Sequence, residues 1–453
     1  MANASQTQNL LARFNRPSPR YTSYPTALDF DESFDAVEYG THLGRLGTGD
    51  SFGAYVHVPF CEKRCAYCAY NVIRTPLHDR VIDPYVAHLE KEIALVSAKL
   101  SGRPTLSRLH FGGGTPTYLE PAQLARVVET LQYAFTLKDG AELSMEIDPR
   151  VTSMAHLATC ASLGFGRLSL GVQDFDPAVQ EAIGRIQSFA ETSDAISTAR
   201  KLGIQRINVD LVYGLPGQTP ESLNATLDQV LRLNPDRLAI YSFAYLPQSQ
   251  KHQADSVPSA SARVNLLQVV RERLGDAGYV DIGIDHFALP EDPLAIAQRP
   301  GVLRRDFLGY TPRQEVDYVG FGASAIGCVG GAYAQNSKKL SRYYAALDAN
   351  TLPTARGLKL AARDRMTAHV IGEIMCNFTV DKSGFERTFG RPFNQNFELA
   401  RGRLAPLIAQ GFVDDNEDAI HVSDRGRVVA RNVAMCFDEY LSEEKLSRFS
   451  STV

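Results

Sequence analysis

The sequence predicts an α/β protein: a partial (β/α)6 barrel with an N-terminal arm and a small, mainly helical, winged-helix-like C-terminal domain. Three observations carry that expectation. From about Ser51 to Leu246 six short apolar runs alternate with amphipathic stretches, as parallel strands joined by right-handed helical crossovers do. Residue types suited to chemistry gather at the C-terminal ends of those runs, where barrels of this kind place their sites. From roughly Arg356 onward the apolar period becomes helical.

The arm occupies residues 1–50 and includes the Pro- and Tyr-rich "RPSPRYTSYPTALDF", which has no period and is expected to pack in extended form. The barrel with its pocket segment spans 51–355. "FGAYVHV", "SRLHFG", "AELSMEID", "GRLSLGV", "QRINVDLVYG" and "DRLAIYSFAYL" read as its strands, most of them too evenly apolar to have one face in water. Asp83 and Pro84 read as a cap and first turn, followed by Val86, Leu89, Ile93 and Val96 on one face; Pro121 opens a second helix carrying Leu124, Val127, Val128, Leu131 and Phe135. After Leu246 the chain turns loop-like, rich in Gly, Pro and aromatics. Residues 356–453 read as helix, helix, short strand pair and helix. There is no solenoid-type repeat and no low-complexity tract.

Composition narrows the function classes. With 44% apolar and 22% charged residues, a formal net charge of -4 and a pI near 6.2, the chain gives no electrostatic reason to expect nucleic acid or anionic lipid as a partner. No apolar run reaches the length of a membrane span and no signal-peptide core stands near the start, so a cytoplasmic protein is expected. Seven cysteines are an odd number, and Cys160, Cys328, Cys376 and Cys436 are scattered singly among apolar residues. That is no disulfide framework.

The remaining three, Cys61, Cys65 and Cys68, stand within eight residues on the loop after the first strand. Further along the same rim come "GGGTP" after the second strand, Glu146 and Asp148 ending the third, Gln173 after the fourth and Asp210 with "YGLPGQTP" on the fifth. Gly112, Gly113 and Gly114 remove side chains, so that backbone can approach a ligand or take a positive φ. Three thiolates in one loop admit three readings. They are packing residues; they hold zinc, with His57, His78 or a remote cysteine as fourth ligand; or they hold a [4Fe–4S] cluster and leave one iron open to a cofactor.

Cys-x3-Cys-x2-Cys after the first strand, "GGGTP" after the second and a glutamate ending the third resemble the radical S-adenosylmethionine superfamily. In that superfamily the cofactor's methionine amino and carboxylate groups bind the open iron, and an electron from the cluster releases a 5′-deoxyadenosyl radical. Nearly the whole chain resembles one branch, the oxygen-independent coproporphyrinogen III oxidases, through "RYTSYPTALDF", "YVHVPFC", "LHFGGGTPTYL", "EIDPR", "RLSLGVQDF", "VDLVYGLPGQTPES", "DHFALPEDPLAIAQ", "YAQN" and "MCFDEYL". The resemblance implies oxidative decarboxylation of two propionates of coproporphyrinogen III to the vinyls of protoporphyrinogen IX, in haem biosynthesis. It also implies roles for residues. Cys61, Cys65 and Cys68 ligate the cluster, and Tyr55, Gly113, Glu146 and Ile326 contact the S-adenosylmethionine on it. Tyr67, Gly114, Thr115, Gln173, Arg185, Asp210 and Ala244 hold a second molecule of that cofactor, with Tyr55, Glu146 and Arg185 as the catalytic candidates. The implied partners are a tetrapyrrole substrate and an external electron donor such as a flavodoxin or ferredoxin, with the chain a monomer.

Two positions depart from the family pattern. Tyr70 stands where a fourth cysteine is usual, and "GYTPR", from Gly309 to Arg313, replaces "GYTTQ". Proline removes a backbone donor there and arginine adds a fixed charge; the segment is expected to lie near the site, so both changes are expected to bear on the pocket. The competing readings are a related radical enzyme acting on another tetrapyrrole or transferring a methyl group, and a haem-binding or haem-delivery protein without turnover.

Overall fold

All six expected strands form, in order: β1 (Ser51–Val58), β2 (Thr105–Gly113), β3 (Thr136–Ile147), β4 (Arg167–Gln173), β5 (Arg206–Tyr213) and β6 (Arg237–Ser242). The computed structural model describes residues 14–68, 70–75, 78–244, 257–313 and 317–452, so Tyr245 and Leu246, expected at the end of β6, lie outside the described residues. Each strand from β1 to β6 pairs in parallel with the next. The sheet then continues beyond the expected barrel at both edges. β7 (Val280–Gly283) and β8 (His286–Ala288) add antiparallel strands beside β6. On the other side β9 (Tyr318–Phe321) pairs in parallel with β1, and β10 (Ile326–Val329), β11 (Ala332–Asn336) and β12 (Thr354–Lys359) extend it antiparallel. The twelve strands run β12-β11-β10-β9-β1-β2-β3-β4-β5-β6-β8-β7. Thus the stretch read as loop-like, with the first residues of the region read as helical, supplies six further strands of this sheet. They are only three to six residues long and Gly interrupts them, so sheet pairing decides them and local pattern does not.

Crossover helices cover the convex face. Ser153, Ser188 and Thr219 cap three of them by accepting backbone N–H groups, and Pro121, Pro177 and Pro220 occupy first turns. One expectation is corrected here: the helix after β1 runs His78–Lys99, with Pro84 inside it and not at its start. Proline removes one helical hydrogen bond at a cost of about 3 kcal/mol. Ile82, Tyr85, Val86, Leu89 and Ile93 are each 0% exposed, and burial of about 1.5–3 kcal/mol apiece outweighs that loss. The same helix sends Glu92 into the interior, where it accepts from Gly322 N (2.7 Å), Tyr343 Oη (2.6 Å) and Asn336 Nδ2 (2.5 Å). Burial pushes its pKa up to about 7.

The N-terminal segment is less extended than expected. It holds a short 3-10 turn, Ala27–Asp29, and a helix, Ala36–Leu43, capped by Asp35, and it buries Tyr21, Tyr24, Phe30 and Phe34. Towards the C-terminus the helix Ala362–Cys376 is followed by a three-stranded antiparallel sheet of Thr379–Asp381, Ala419–Val422 and Val413–Asp415, with short helices around it. One buried apolar cluster runs from Tyr21 through the barrel to Phe437. Arg431 joins the two ends of the chain: Nε donates to Pro19 O (3.1 Å) and Nη1 to Ser451 O (3.0 Å). Among the described residues no helix is long and apolar enough to cross a membrane.

Candidate active site

The concave side of the sheet encloses a cavity of about 760 Å³. Alternate residues of the central strands line it: Arg108 and His110 on β2, Glu142, Ser144 and Glu146 on β3, Arg167 and Ser169 on β4, Asn208 and Asp210 on β5. The strands therefore do not bury both faces in apolar contacts, which corrects the reading from evenly apolar runs. Their second face is polar and faces this cavity. The N-terminal segment from Ser18 to Ser23 and the C-terminal Arg448, Phe449 and Ser450 also line it. Arg431 holds those two segments side by side.

Cys61 and Cys68 are half-buried and Cys65 is buried, and all three line the cavity. The loop is fixed by Cys68 N donating to Cys65 O (3.2 Å) and Ala66 N to Ile183 O (3.0 Å). Cys61 Sγ lies 3.5 Å from Thr115 Oγ1. Two guanidiniums reach Cys65 Sγ, Arg185 Nη1 at 3.9 Å and Arg150 Nη2 at 4.0 Å. Both arginines grip Asp148, Arg185 through Nη1 (3.0 Å) and Nη2 (3.1 Å) and Arg150 through Nη2 (2.6 Å). Burial resists the Asp148 charge, but these partners outweigh it and hold its pKa below the usual value. Arg185 Nη2 also donates to Gly171 O (2.6 Å) and Gln187 Oε1 (2.9 Å), while its buried Nε has no partner.

The glycine run works by absence of side chains. A Cβ on Gly114 would meet Phe60 O at 2.6 Å and Cys61 Sγ at 3.0 Å. Gly113 takes φ +119, and a Cβ there would strike His57 at 2.8 Å. Its N–H donates to Glu146 Oε2 (3.1 Å), while His110 Nε2 stands 3.5 Å from Glu146 Oε1. Tyr55 stacks on His110 with ring centroids 5.9 Å apart, and its Oη lies 2.9 Å from His57 Nδ1. Asp210 accepts from Ser169 Oγ (2.9 Å) and Asn208 Nδ2 (2.7 Å); burial first, then the Glu146 charge, raises its pKa to about 7. Gln173 closes β4 with φ 71, a conformation few non-glycine residues adopt.

The structure brings together Tyr55, Cys61, Cys65, Tyr67, Cys68, Gly113, Gly114, Thr115, Glu146, Gln173, Arg185, Asp210 and Ala244 on this one cavity. Ile326 is not among the lining residues; it begins β10, where its carbonyl lies close against Gly320. Tyr70 lines the cavity and is exposed. Of "GYTPR", Gly309, Tyr310 and Thr311 line the wall, whereas Arg313 Nη2 donates to Gly140 O (3.0 Å). Its charge is thus not placed in the pocket, contrary to expectation. Sequence reading missed Arg167 and Arg237, which open β4 and β6, and Arg108, the fourth residue of β2. The signal was present as a repeated Arg-Leu opening in "RLHF", "RLSL" and "RLAI".

The donor set fits a thiolate-held cluster. Burial pushes the Cys61 thiol up to about 11 and raises that of Cys68, so coordination is what would deprotonate these two. Among the described residues no three His, Cys, Asp or Glu side chains converge on one ion position. Corner thiolates of a polynuclear cluster bind separate irons and need no such convergence, unlike the ligands of zinc.

Residues 55–230 match the Radical SAM superfamily and residues 360–429 match the HemN C-terminal domain. The oxygen-independent coproporphyrinogen III oxidases of Salmonella typhimurium and Escherichia coli K12 are each 40% identical over 449 residues, 98% of this chain and 98% of theirs. That of Pseudomonas aeruginosa is 40% identical over 453 residues, with the same coverage. The solved coproporphyrinogen III oxidase (HemN) from Escherichia coli, described as a radical SAM enzyme, superposes with a TM-score of 0.89 at 41% identity, covering 93% of this chain and 98% of that one.

Proposed function

The chain belongs to the oxygen-independent coproporphyrinogen III oxidase family, and on that premise we propose that it oxidatively decarboxylates two propionates of coproporphyrinogen III to give protoporphyrinogen IX. Likeness at 40% identity over 98% of both chains is the observation that carries this reading. A [4Fe–4S] cluster with S-adenosylmethionine supplies, when bound, the radical that removes hydrogen from the propionate β-carbon.

The chain's own residues do the rest. Cys61, Cys65 and Cys68 hold the cluster, and Arg150 and Arg185 offset negative charge at Cys65. Glu146, oriented by the Gly113 N–H, would take the ammonium of the first cofactor molecule, with Tyr55 and Gly113 beside it; Ile326, off the cavity wall, is given no part in holding it. Tyr67, Gly114, Thr115, Gln173, Arg185, Asp210 and Ala244 form the wall for a second molecule. The Ser18–Ser23 and Arg448–Ser450 segments cover the cavity and limit water. In this reading residues 1–50 form the arm, 51–355 the barrel with its pocket segment and 356–453 the C-terminal domain. The chain acts as a cytoplasmic monomer, takes electrons from a flavodoxin or ferredoxin and binds neither nucleic acid nor membrane.

The test is anaerobic incubation of the reconstituted protein with coproporphyrinogen III, reductant and S-adenosylmethionine, followed by chromatography of the porphyrins. Protoporphyrin is expected. Cofactor cleavage without any decarboxylation would move the protein to another substrate.

A further inference from the structure

Below the rim, the cavity ends in a charged floor that the roles assigned above leave unused. Arg108, Glu142, Arg167 and Arg237 are the deepest inward residues of β2, β3, β4 and β6 that line the cavity. Arg108, Arg167 and Arg237 are only 6–8% exposed. Each is tied to one carboxylate: Arg108 to Asp306 (2.5 Å), Arg167 to Glu142 (2.9 Å) and Arg237 to Asp292 (2.7 Å). Gly53 makes room for the first, since a Cβ there would meet Arg108 Nε at 3.2 Å.

The pairing leaves donors over. Arg167 and Arg237 reach their carboxylates through Nε, and Arg167 Nη1, Arg167 Nη2 and Arg237 Nη2 are buried with no hydrogen-bond partner. An unmet buried N–H costs about 1–3 kcal/mol, more when charged, so a native site meets it with a ligand or ordered water. Both guanidiniums line the same cavity from strands with only β5 between them, and burial and then the Arg167 charge push the Arg237 pKa down. An anion beside both relieves that repulsion and satisfies the free forks, and the planar fork suits a carboxylate. Above the floor the walls carry Tyr241, His286, Phe307 and Tyr310, flat apolar surface suited to a macrocycle. Along β3, Glu142 lies four residues below Glu146, about 13 Å at strand rise. The floor is therefore too far from the rim to serve the reacting side chain.

We propose that Arg167 and Arg237 anchor the carboxylate of an unreacted propionate of the tetrapyrrole, setting which side chains reach the rim; this rests on the reading of the substrate given above. A cofactor carboxylate shares the same chemistry, so the test separates the two sources. Holoenzyme is titrated anaerobically with coproporphyrin III, with its tetramethyl ester and, separately, with S-adenosylmethionine, following porphyrin fluorescence or calorimetry. Arg167→Lys keeps the charge opposite Glu142 but loses the fork, and Arg167→Met with Glu142→Gln removes both charges, so a folding defect in one variant does not decide the matter. Iron content and melting temperature verify each protein. The wild type is expected to prefer the free acid over the ester, and both variants and Arg237→Lys are expected to lose about tenfold or more in acid affinity while ester affinity stays. Acid affinity unchanged in folded variants would overturn the anchor, even where the wild type still converts coproporphyrinogen. Loss confined to S-adenosylmethionine would overturn it in favour of the cofactor. Failure of turnover alongside the expected affinity pattern would remove the reaction and leave the anchor standing.

Discussion

The same side chain behaves differently in two regions of this molecule. Cys160, Cys328, Cys376 and Cys436 are all buried, and burial raises every one of these thiols, Cys160 and Cys376 to about 12. They serve as small apolar residues; Cys160 Sγ packs 3.7 Å from Met145 Sδ. Cys61, Cys65 and Cys68 instead line a cavity, with two guanidiniums near one sulfur and a side-chain-free backbone at Gly114 near another. What separates the two groups is access and neighbouring charge. Hydrophobicity of the thiol is common to both.

The widest gap between the regions should open in iron content. Cys61→Ala, Cys65→Ala and Cys68→Ala are each expected to drop it from about four per chain to near zero in anaerobically prepared protein. Cys160→Ala and Cys376→Ala should keep the iron and lose about 1 kcal/mol of packing, read as a lower melting temperature. Iron lost from Cys376→Ala would erase the distinction.

Next in size is Glu146→Ala, which should keep the iron yet slow S-adenosylmethionine cleavage about 10- to 100-fold, the worth of one charged hydrogen bond. Unchanged cleavage would return Glu146 to a structural strand-end role. A smaller effect concerns Asp210, whose pKa of about 7 lies above that of an unfolded aspartate. The folded state therefore binds the extra proton, and this contribution to stability is full below about pH 4 and lost as pH rises through 7. Between pH 5.5 and 8 the melting temperature of the wild type should fall more than that of Asp210→Asn. Parallel curves would show that Asp210 titrates normally.

Tyr70→Cys should change least. Three thiolates suffice for the cluster, so iron content should not move, while product formation should rise if the usual fourth thiol serves a later step. Loss of S-adenosylmethionine cleavage at unchanged iron content in that variant would mean that a fourth thiol closes the open iron, and would break the comparison from the other side.

Residue spacing alone determined much of this protein. The six parallel strands, the rim carrying the cysteine loop, "GGGTP", Glu146, Gln173 and Asp210, and the helical C-terminal region are all set by local periodicity and by residue types at strand ends. Only tertiary structure decided the rest. The six short strands from β7 to β12 exist because the sheet offers partners, and Pro84 stays inside a helix because the buried face beneath it is worth more than the lost hydrogen bond. The polar second face of β3 and β5 was legible as alternation in "ELSMEI" and "INVDLV", but whether it met water, core or ligand depended on closure of the sheet around a cavity. Arg313 was expected in the pocket and instead meets the Gly140 carbonyl, 173 residues away in sequence. A long side chain finds its partner by proximity in the folded chain, which no local pattern encodes.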